Sequence, residues 1–329
     1  MSEFSAKHIG ETGYELANAE LERFVYNPAL GELAALFGQE DLPEDTKERI
    51  AVLQQVGAEH WNFRKGAERQ AVDWDEGLLD NPDSEVWNTV FDAASKLGMV
   101  ESSKPQNANP DYLVILGGAN KAPLDRLRYG LESVENVGEA VVYLGASRQV
   151  SDAEREKARD YAPDAQTEFD LGCGAVETLL GARVVGEVKE VRKGDVWVMR
   201  HYEYDVKDDE GNVVETKNAI VANTPVNIHD NGETRRATTY DNYSFFARQA
   251  ELAKYPETSV VAVTTGFYVP AQHFPGVQEL TLKYGVDVET IGHDAAYSGV
   301  TRKPAQLLQE TKAAIDASAR LHDALNTAA

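Results

Sequence analysis

Three apolar segments of the chain each end in small or hydroxyl-bearing residues, a combination that can bind an anion. The ends are Gly117-Gly118-Ala119-Asn120, Gly145-Ala146-Ser147 and Thr264-Thr265-Gly266. Glycine permits a tight turn that exposes backbone amide hydrogens, and hydroxyl groups supply further donors. Phosphate or carboxylate suits such donors, so the residues predicted here to bind a ligand are Gly117, Gly118, Asn120, Gly145, Ser147, Thr264 and Thr265. The alternative for each segment is a glycine that only forms the turn after a strand.

These residues can meet only if the apolar segments are strands of one parallel sheet. The run over 112–116 is apolar almost throughout, which is typical of a strand covered on both faces. Helix-like segments alternate with further apolar runs near 140–144, 259–263 and 286–291, and this alternation predicts parallel strands with crossover helices. We therefore predict an α/β fold, a three-layer, Rossmann-like, mainly parallel sheet whose ligand lies at the carboxyl ends of the strands.

The sequence predicts two domains. Residues 1–104 place apolar side chains three and four positions apart, for example Leu21, Phe24 and Val25, and are predicted to form a helical N-terminal region. A stretch rich in Ser, Asn and Pro leads into the predicted α/β domain, residues 105–329. Within that domain, two β-rich runs flank an Asp-Asp-Glu-Gly-Asn turn, which predicts a β-hairpin insertion over residues 183–222.

Further polar residues lie near predicted strand ends. Thr239 or Asp241 can cap a helix over 242–253, which leaves Asn242 to reach inward. His293 follows the last predicted strand, and because imidazole titrates near neutrality we predict it as a proton carrier, ahead of His273. A loop histidine without a chemical role is the alternative.

The order of these motifs resembles the bacterial YdcF and SanA-like family of domains of unknown function. The resemblance spans about residues 111–320 and rests on these positions: Leu116-Gly117-Gly118, Arg126 or Arg128, Gly145-Ala146-Ser147, Glu177, Thr239 with Asn242, and the segment from Thr264 to Gln272. Tyr268 and Gln272 stand where the family has histidine and arginine. The resemblance implies that Arg126 or Arg128 neutralises ligand charge, that Tyr268 lies at the ligand and that Glu177 transfers protons. It makes S-adenosylmethionine a candidate cofactor, because some members are thought to bind it.

Two rival chemistries can be formulated from other segments. Asp170-Leu171-Gly172-Cys173-Gly174-Ala175-Val176 resembles the glycine-rich motif of S-adenosylmethionine-dependent methyltransferases, although Val176 occupies the position of the third glycine. His201, Glu203 and Asp205 alternate along the predicted hairpin, so they share one face and form a conceivable metal set. A solvated polar face explains that spacing more simply, and we predict no metal site.

Composition excludes several classes of partner. The formal charge of −23 opposes the phosphates of nucleic acid and the anionic surface of a membrane. Cys173 is the only cysteine, so the chain forms no internal disulfide. The N-terminus lacks the apolar core of a signal peptide, and no apolar run is long enough to span a membrane. We therefore expect a cytoplasmic protein with a small, anionic ligand; the oligomeric state is left open.

Two classes of function remain. In the first, the protein is an enzyme acting on a small anionic or nucleotide-like molecule, with Glu177 or His293 moving protons and the Gly117-Gly118 amides stabilising an oxyanion. In the second, the same site senses a ligand without turnover, or the protein binds a partner. The chain has no Gly-x-Ser-x-Gly elbow, no phosphate-binding P-loop and no His-Glu-x-x-His helix, which disfavours those hydrolases, ATPases and zinc proteases.

Overall fold

A computed structural model of the chain describes residues 11–65, 81, 84–192, 194–225, 228–230, 233–235, 237–255 and 257–328. The chain divides into two compact units. The first comprises residues 1–103, 265–285 and 292–329, and the second comprises residues 104–264 and 286–291. The sequence predicted a single boundary near residue 104, whereas the first unit also takes two later stretches of the chain.

The described helices are α1 (Glu11–Val25), α2 (Pro28–Ala35), α3 (Thr46–His60), α4 (Glu85–Lys96), α5 (Ala122–Ser133), α6 (Asp152–Ala158), α7 (Glu168–Leu180), α8 (Thr239–Gln249), α9 (Val269–Gly276), α10 (Leu282–Tyr284) and α11 (Pro304–Ala328). The described strands are β1 (Tyr112–Leu116), β2 (Ala140–Ala146), β3 (Arg183–Arg192), β4 (Asp195–Lys207), β5 (Val213–Thr224), β6 (Ile228–Asp230), β7 (Glu233–Arg235), β8 (Ser259–Thr265) and β9 (Asp287–His293).

The first unit is helical, and local signals in the sequence set its helix starts. Asn27 caps α2 through its side chain with proline at the next position, and the Asp45 carboxylate accepts from the Glu48 amide at the start of α3. The sequence Asp80-Asn81-Pro82-Asp83-Ser84 predicts a break between helices, and most of that segment falls outside the described residues. The core of the unit packs α11 against α1, α3, α4 and α9. Trp61 lies fully buried in that core, so it packs as a core side chain.

A seven-stranded sheet dominates the second unit, with the strand order β3-β4-β5-β2-β1-β8-β9. β1 pairs in parallel with β2 and with β8, and β2 pairs in parallel with β5. β1, β2 and β8 are buried along nearly their whole length, as expected for parallel strands covered on both faces. The α/β fold class with a mainly parallel sheet and N-terminal helices is confirmed.

Helices of the second unit cover both faces of its sheet. Arg200 on β4 contacts Cys173 of α7, whereas Trp197, three residues earlier, packs on Phe245 of α8. Because side chains alternate along a strand, α7 and α8 lie on opposite faces. α5 packs on β1 and against α7, so it shares the face of α7. The carboxyl ends of β1, β2 and β5 thus lie between two helical layers.

The segment predicted as a hairpin insertion extends this sheet. β3 and β4 form an antiparallel hairpin, and β4 pairs antiparallel with β5. β5 then aligns with β2 in parallel from Asn218 to Thr224. The inserted strands therefore add a further parallel strand end, at Asn223 and Thr224, beside those of β1, β2 and β8, at the edge where a ligand was predicted. None of the described helices combines the length and apolar character that crossing a membrane requires.

Candidate functional site

The glycines at the ends of β1 and β2 lie close to neighbouring backbone and side-chain atoms. A Cβ atom on Gly117 would lie 2.6 Å from the carbonyl oxygen of Leu144, and one on Gly145 would lie 2.9 Å from the Tyr143 ring. Gly118 would place a Cβ 3.2 Å from a guanidinium nitrogen of Arg126. Packing alone thus explains these glycines, so the evidence for a ligand site has to come from other residues.

Arg126 and Tyr161 hold the loop that follows β1. Arg126 is almost fully buried on α5, and its Nη1 atom donates to the carbonyl oxygens of Leu116 at 2.7 Å and Gly117 at 2.5 Å. The Tyr161 hydroxyl donates to the carbonyl oxygen of Asn120, whose φ of 56° lies in the left-handed region that asparagine tolerates. These contacts fix the path of the loop and bring a buried positive charge next to its backbone.

Arg126 and Arg128, which the sequence offers as alternatives, have different surroundings. Arg126 contacts the loop, whereas the Arg128 side chain is 44% exposed and lies 3.8 Å from Asp125. Two residues apart on a helix, the side chains point in different directions. Arg126 is therefore the one at the strand ends.

Tyr143 on β2 contributes a polar atom to this region that sequence analysis missed. Its side chain is fully buried, and among the described residues no group forms a hydrogen bond of good geometry with its hydroxyl. Burial, with the charges of Glu168 and Tyr161, raises the pKa of Tyr143 well above its ordinary value, against the opposing effects of Arg126 and the Gly118 backbone amide. The Gly118 amide approaches the hydroxyl oxygen, but the hydroxyl's own hydrogen has no acceptor.

A chain of polar side chains joins the ends of β2, β5 and α8. Ser147 Oγ donates to Asn223 Oδ1 at 2.6 Å, and the Ser147 amide donates to the Thr224 carbonyl oxygen. Thr224 is fully buried, and its hydroxyl lies 2.9 Å from the Gly145 carbonyl oxygen and 2.5 Å from Asn242 Oδ1. Ser147 and Asn242 were predicted from sequence. Asn223 and Thr224 were not predicted as site residues, because the sequence indicates only that they follow a hairpin insertion.

The N-terminus of α8 is capped one residue earlier than expected. Asp241 Oδ2 accepts hydrogen bonds from the amide and the hydroxyl of Thr238, so Thr238 is the cap and Thr239 is the first helical residue. Arg235 forms a two-point ion pair with the same carboxylate, at 2.6 and 2.9 Å. Asp241 therefore positions α8, and with it Asn242.

We expect Asp241 to make stability depend on pH under acid conditions. Burial alone would raise the pKa of Asp241, but hydrogen bonds from Arg235 and Thr238 outweigh it and hold the pKa below the ordinary value of 3.8. A depressed pKa means that this stabilisation is complete above the unfolded-state value and is lost as pH falls through the folded-state value. Urea unfolding from neutral pH into the acid range should therefore show the free-energy difference between wild type and Asp241→Asn shrinking. A constant difference would contradict the assignment.

Arg148 organises the loop after β2. Its guanidinium donates to Glu154 at 3.1 Å and to Glu168 at 2.9 Å, residues near the N-termini of α6 and α7. The Glu154 side chain is only 4% exposed, and it also accepts from the Ser151 amide in a capping box. Burial of Arg148 opposes its charge, but these partners raise its pKa, so both helix starts are tied to one cation.

Glu177, predicted to transfer protons, lies away from the strand ends. Phe169, in the first turn of α7, is the α7 residue next to Gly145. Glu177 lies eight residues further along α7, roughly 12 Å at 1.5 Å per residue. Glu177 is exposed and accepts a hydrogen bond from the Tyr202 hydroxyl at 3.2 Å. The neighbouring Cys173 thiol is buried, which raises its pKa to about 11 and keeps it protonated at neutral pH.

Thr265, Tyr268 and His293 belong to the first unit. His293 is fully buried, with Nδ1 2.9 Å from the Asp294 carbonyl oxygen and Nε2 3.5 Å from Thr265 Oγ1. Both ring nitrogens thus face protein atoms, which favours a structural histidine over a proton carrier in contact with a ligand. Tyr268 packs on Phe267, with ring centroids 3.7 Å apart. Thr264, fully buried at the end of β8, belongs to the second unit.

The methyltransferase interpretation of residues 170–177 has no geometric basis. That motif needs a strand followed by a turn, whereas the segment lies inside α7. Its glycines serve packing: a Cβ on Gly172 would lie 2.2 Å from the Tyr143 ring, and one on Gly174 would lie 2.6 Å from the Tyr161 carbonyl oxygen. The conceivable metal set also fails, because Arg183 pairs with both Glu203 and Asp205. No metal-binding group of His, Cys, Asp and Glu side chains occurs in the described part of the chain.

Comparison with known proteins finds a family that matches the N-terminal helices and relatives that match most of the chain. Residues 9–98 match the Rv3785 N-terminal domain family. The match covers α1 to α4. The chain is also similar to the uncharacterized protein Rv3785 of Mycobacterium tuberculosis (strain H37Rv) and to the uncharacterized protein Mb3814 of Mycobacterium bovis, each 27% identical over 328 residues, with 89% of this chain and 86% of the relative covered. No solved structure matches the chain.

The predicted resemblance to the YdcF and SanA-like family is wrong. The family model that matches is the Rv3785 N-terminal domain, and it covers residues 9–98, a region outside the resemblance; the similar proteins include the uncharacterized protein Rv3785. The Leu-Gly-Gly pattern misled because Gly117 is demanded by its approach to Leu144, a need that any strand end this close to its neighbour shares. The roles of Arg126, Arg128, Tyr268 and Glu177 that depended on that family lose this support, as does S-adenosylmethionine.

Proposed function

We propose that the second unit binds a small anionic molecule at the carboxyl ends of β1, β2 and β5, without turnover. The observation that carries the proposal is the Tyr143 hydroxyl, a fully buried donor that no described acceptor satisfies and that lies by the Gly118 amide. A buried unsatisfied polar group costs about 1–3 kcal/mol, so native proteins keep few of them without a reason. An oxygen atom of a ligand supplies the missing acceptor.

Beside Tyr143, a cation and a backbone amide attract negative charge, whereas the Glu168 carboxylate, which pairs with Arg148, opposes it. The Arg126 guanidinium and the Gly118 amide both favour negative charge at the Tyr143 hydroxyl. α5 begins at Ala122, directly after the loop, and the side chain of its N-cap residue Lys121 makes no capping hydrogen bond. Backbone N–H groups at the start of a helix attract anions. Phosphate and carboxylate are therefore the groups to test first.

The polar chain beside the loop supports a ligand larger than one ion. Ser147, Asn223 and Asn242 are each partly exposed, and they present hydroxyl and amide groups along the same edge. Such groups fix the orientation of a ligand whose charged end lies elsewhere. Binding is proposed rather than catalysis, because Glu177 lies well along α7 and His293 has both nitrogens against protein atoms.

Thermal unfolding of two matched variants tests the proposal. Tyr143→Phe removes the unsatisfied hydroxyl, so it should raise stability by about 1 kcal/mol in the absence of ligand. Inorganic phosphate, pyrophosphate, citrate and nucleotides are then added at low ionic strength. A ligand at a hundred times its dissociation constant should stabilise wild type by about 2.7 kcal/mol, and Tyr143→Phe should lose most of that gain.

Tyr243→Phe is the control. Tyr243 on α8 is also fully buried with an unsatisfied hydroxyl among the described residues, but burial alone raises its pKa, with no charged or amide neighbour acting on it. This variant should gain stability in the same way and keep the full response to anions. The proposal is overturned if neither wild type nor Tyr243→Phe responds to any of the anions, or if Tyr143→Phe responds as strongly as wild type. An internal water would then be the partner of Tyr143.

A further inference from the structure

The outer edge of β3 is an unusual feature of the second unit. In the described part of the chain, β3 ends the seven-stranded sheet, and no other strand pairs with its outer edge. It is ten residues long, Arg-Val-Val-Gly-Glu-Val-Lys-Glu-Val-Arg, and contains no proline. Val184, Val185, Val188 and Val191 are between 45% and 70% exposed. A long, apolar, unpaired edge is a template for another strand.

We propose that this edge pairs with the same edge of a second copy of the chain, antiparallel, with Val188 opposite Val188 of the second copy. The pairing joins two sheets into one continuous sheet around a twofold axis. It is independent of the proposed anion site.

Charge complementarity selects this register. With Val188 opposite itself, Glu187 lies opposite Lys189 of the second copy, and Lys189 lies opposite the partner's Glu187. Directly opposed residues share a face of an antiparallel pair, so both contacts are favourable ion pairs. Two copies of the same edge can pair antiparallel only in registers that keep opposed residues on one face. The two neighbouring registers of this kind place Lys189 opposite itself or Glu187 opposite itself, so each brings like charges together.

Contacts within one chain prepare these side chains for that pairing. Glu187 Oε2 accepts from Arg200 of β4 at 3.2 Å, and Glu187 Oε1 lies 3.1 Å from Lys189 Nζ. Both charges thus already stand on the face of the sheet that carries Arg200. A lysine on an edge strand commonly prevents pairing, as does a bulge, and here the bulge lies between Val184 and Gly186. The bulge leaves residues 186–192 regular, and in the proposed register Lys189 forms an ion pair with Glu187 of the second copy.

Exchange of the two charges gives a direct test. Light scattering should show wild type at twice its 36.2 kDa mass at high concentration. Glu187→Lys and Lys189→Glu should each be monomeric, because each places like charges opposite each other. An equal mixture of the two variants should be dimeric, because every opposed pair is then of opposite sign. Thermal unfolding checks that both variants are folded, since Glu187→Lys also loses the contact with Arg200.

A disulfide tests the register itself. In Val188→Cys, two thiols meet at the twofold axis, where opposed Cα atoms are about 4.5–5.5 Å apart and suit a disulfide. Oxidation should link this variant into dimers. Val184→Cys is similarly exposed but lies beyond the bulge and far from the twofold axis, so oxidation should leave it unlinked; Cys173 is buried in both. A monomeric wild type at every concentration, a monomeric mixture of the charge variants, or equal linking of both cysteine variants would overturn the proposal.

Discussion

Gly172→Ala should destabilise the protein by about 3 kcal/mol, the upper end of the usual range for overpacking a core. The added Cβ would lie 2.2 Å from Cδ1 and 2.4 Å from Cε1 of Tyr143, whose ring is fully buried. Neither group can move away easily, because α7 packs on α5 as well as on β2 and β5. Chemical unfolding in urea measures the loss, with the slope of the transition showing whether the native state stays compact.

Gly31→Ala is the control for helix propensity. Gly31 lies within α2, and the nearest atom to a new Cβ is a methyl carbon of Leu42 at 4.0 Å. That variant should gain about 0.5–1 kcal/mol, because alanine is the better helix former. In a Tyr143→Ala background, Gly172→Ala should no longer destabilise, since the ring it meets has gone. A loss of the same size in both backgrounds would show that the ring is not the cause.

Arg148→Ala should lower stability by about 3 kcal/mol, because removing one partner from a buried ion pair leaves an uncompensated charge. The charge in question is that of Glu154, whose side chain is 4% exposed, with Glu168 beside it at 17%. The loop after β2 and the first turns of α6 and α7 lose their common partner. Thermal and urea unfolding should agree on the size of the loss.

Arg159→Ala provides the comparison for this second prediction. Arg159 pairs with Glu156 at 2.7 Å, a shorter distance than any from Arg148, but both side chains are more than 60% exposed. Exposed pairs contribute only about 0–1 kcal/mol, so this variant should unfold almost as wild type does. Equal losses in the two variants would contradict the claim that burial, rather than distance, sets the contribution of these ion pairs.

Strand and helix positions of the α/β region could be predicted because the parallel strands are short, continuous apolar runs. β1 coincides with the predicted run over 112–116, and the predicted carboxyl ends of β2 and β8 fall within two residues of those found. Residues 183–222 were harder, since alternating polar and apolar residues fit a free hairpin as well as strands at the end of a sheet. Only the pairing of β5 with β2 decides between them.

The candidate site was predicted in part, and the reasons differ from residue to residue. Ser147 and Asn242 follow a strand and start a helix, positions that sequence marks clearly, and they join one polar chain. Tyr143 could not be found, because a tyrosine inside a strand predicts packing and gives no sign that its hydroxyl is unsatisfied. His293 misled for the opposite reason: its position after a strand predicts a ligand contact, but burial encloses both nitrogens.

The most direct test of an anion site at the strand ends is a two-dimensional amide NMR titration of the nitrogen-15-labelled protein with inorganic pyrophosphate. The amides of Gly117, Gly118 and Ser147 should shift in a saturable way in wild type and in Tyr243→Phe. The same amides should respond far less in Tyr143→Phe. An anion site at the strand ends is contradicted if none of these amides responds up to the solubility limit of the protein with pyrophosphate, or if Tyr143→Phe gives the wild-type titration curve.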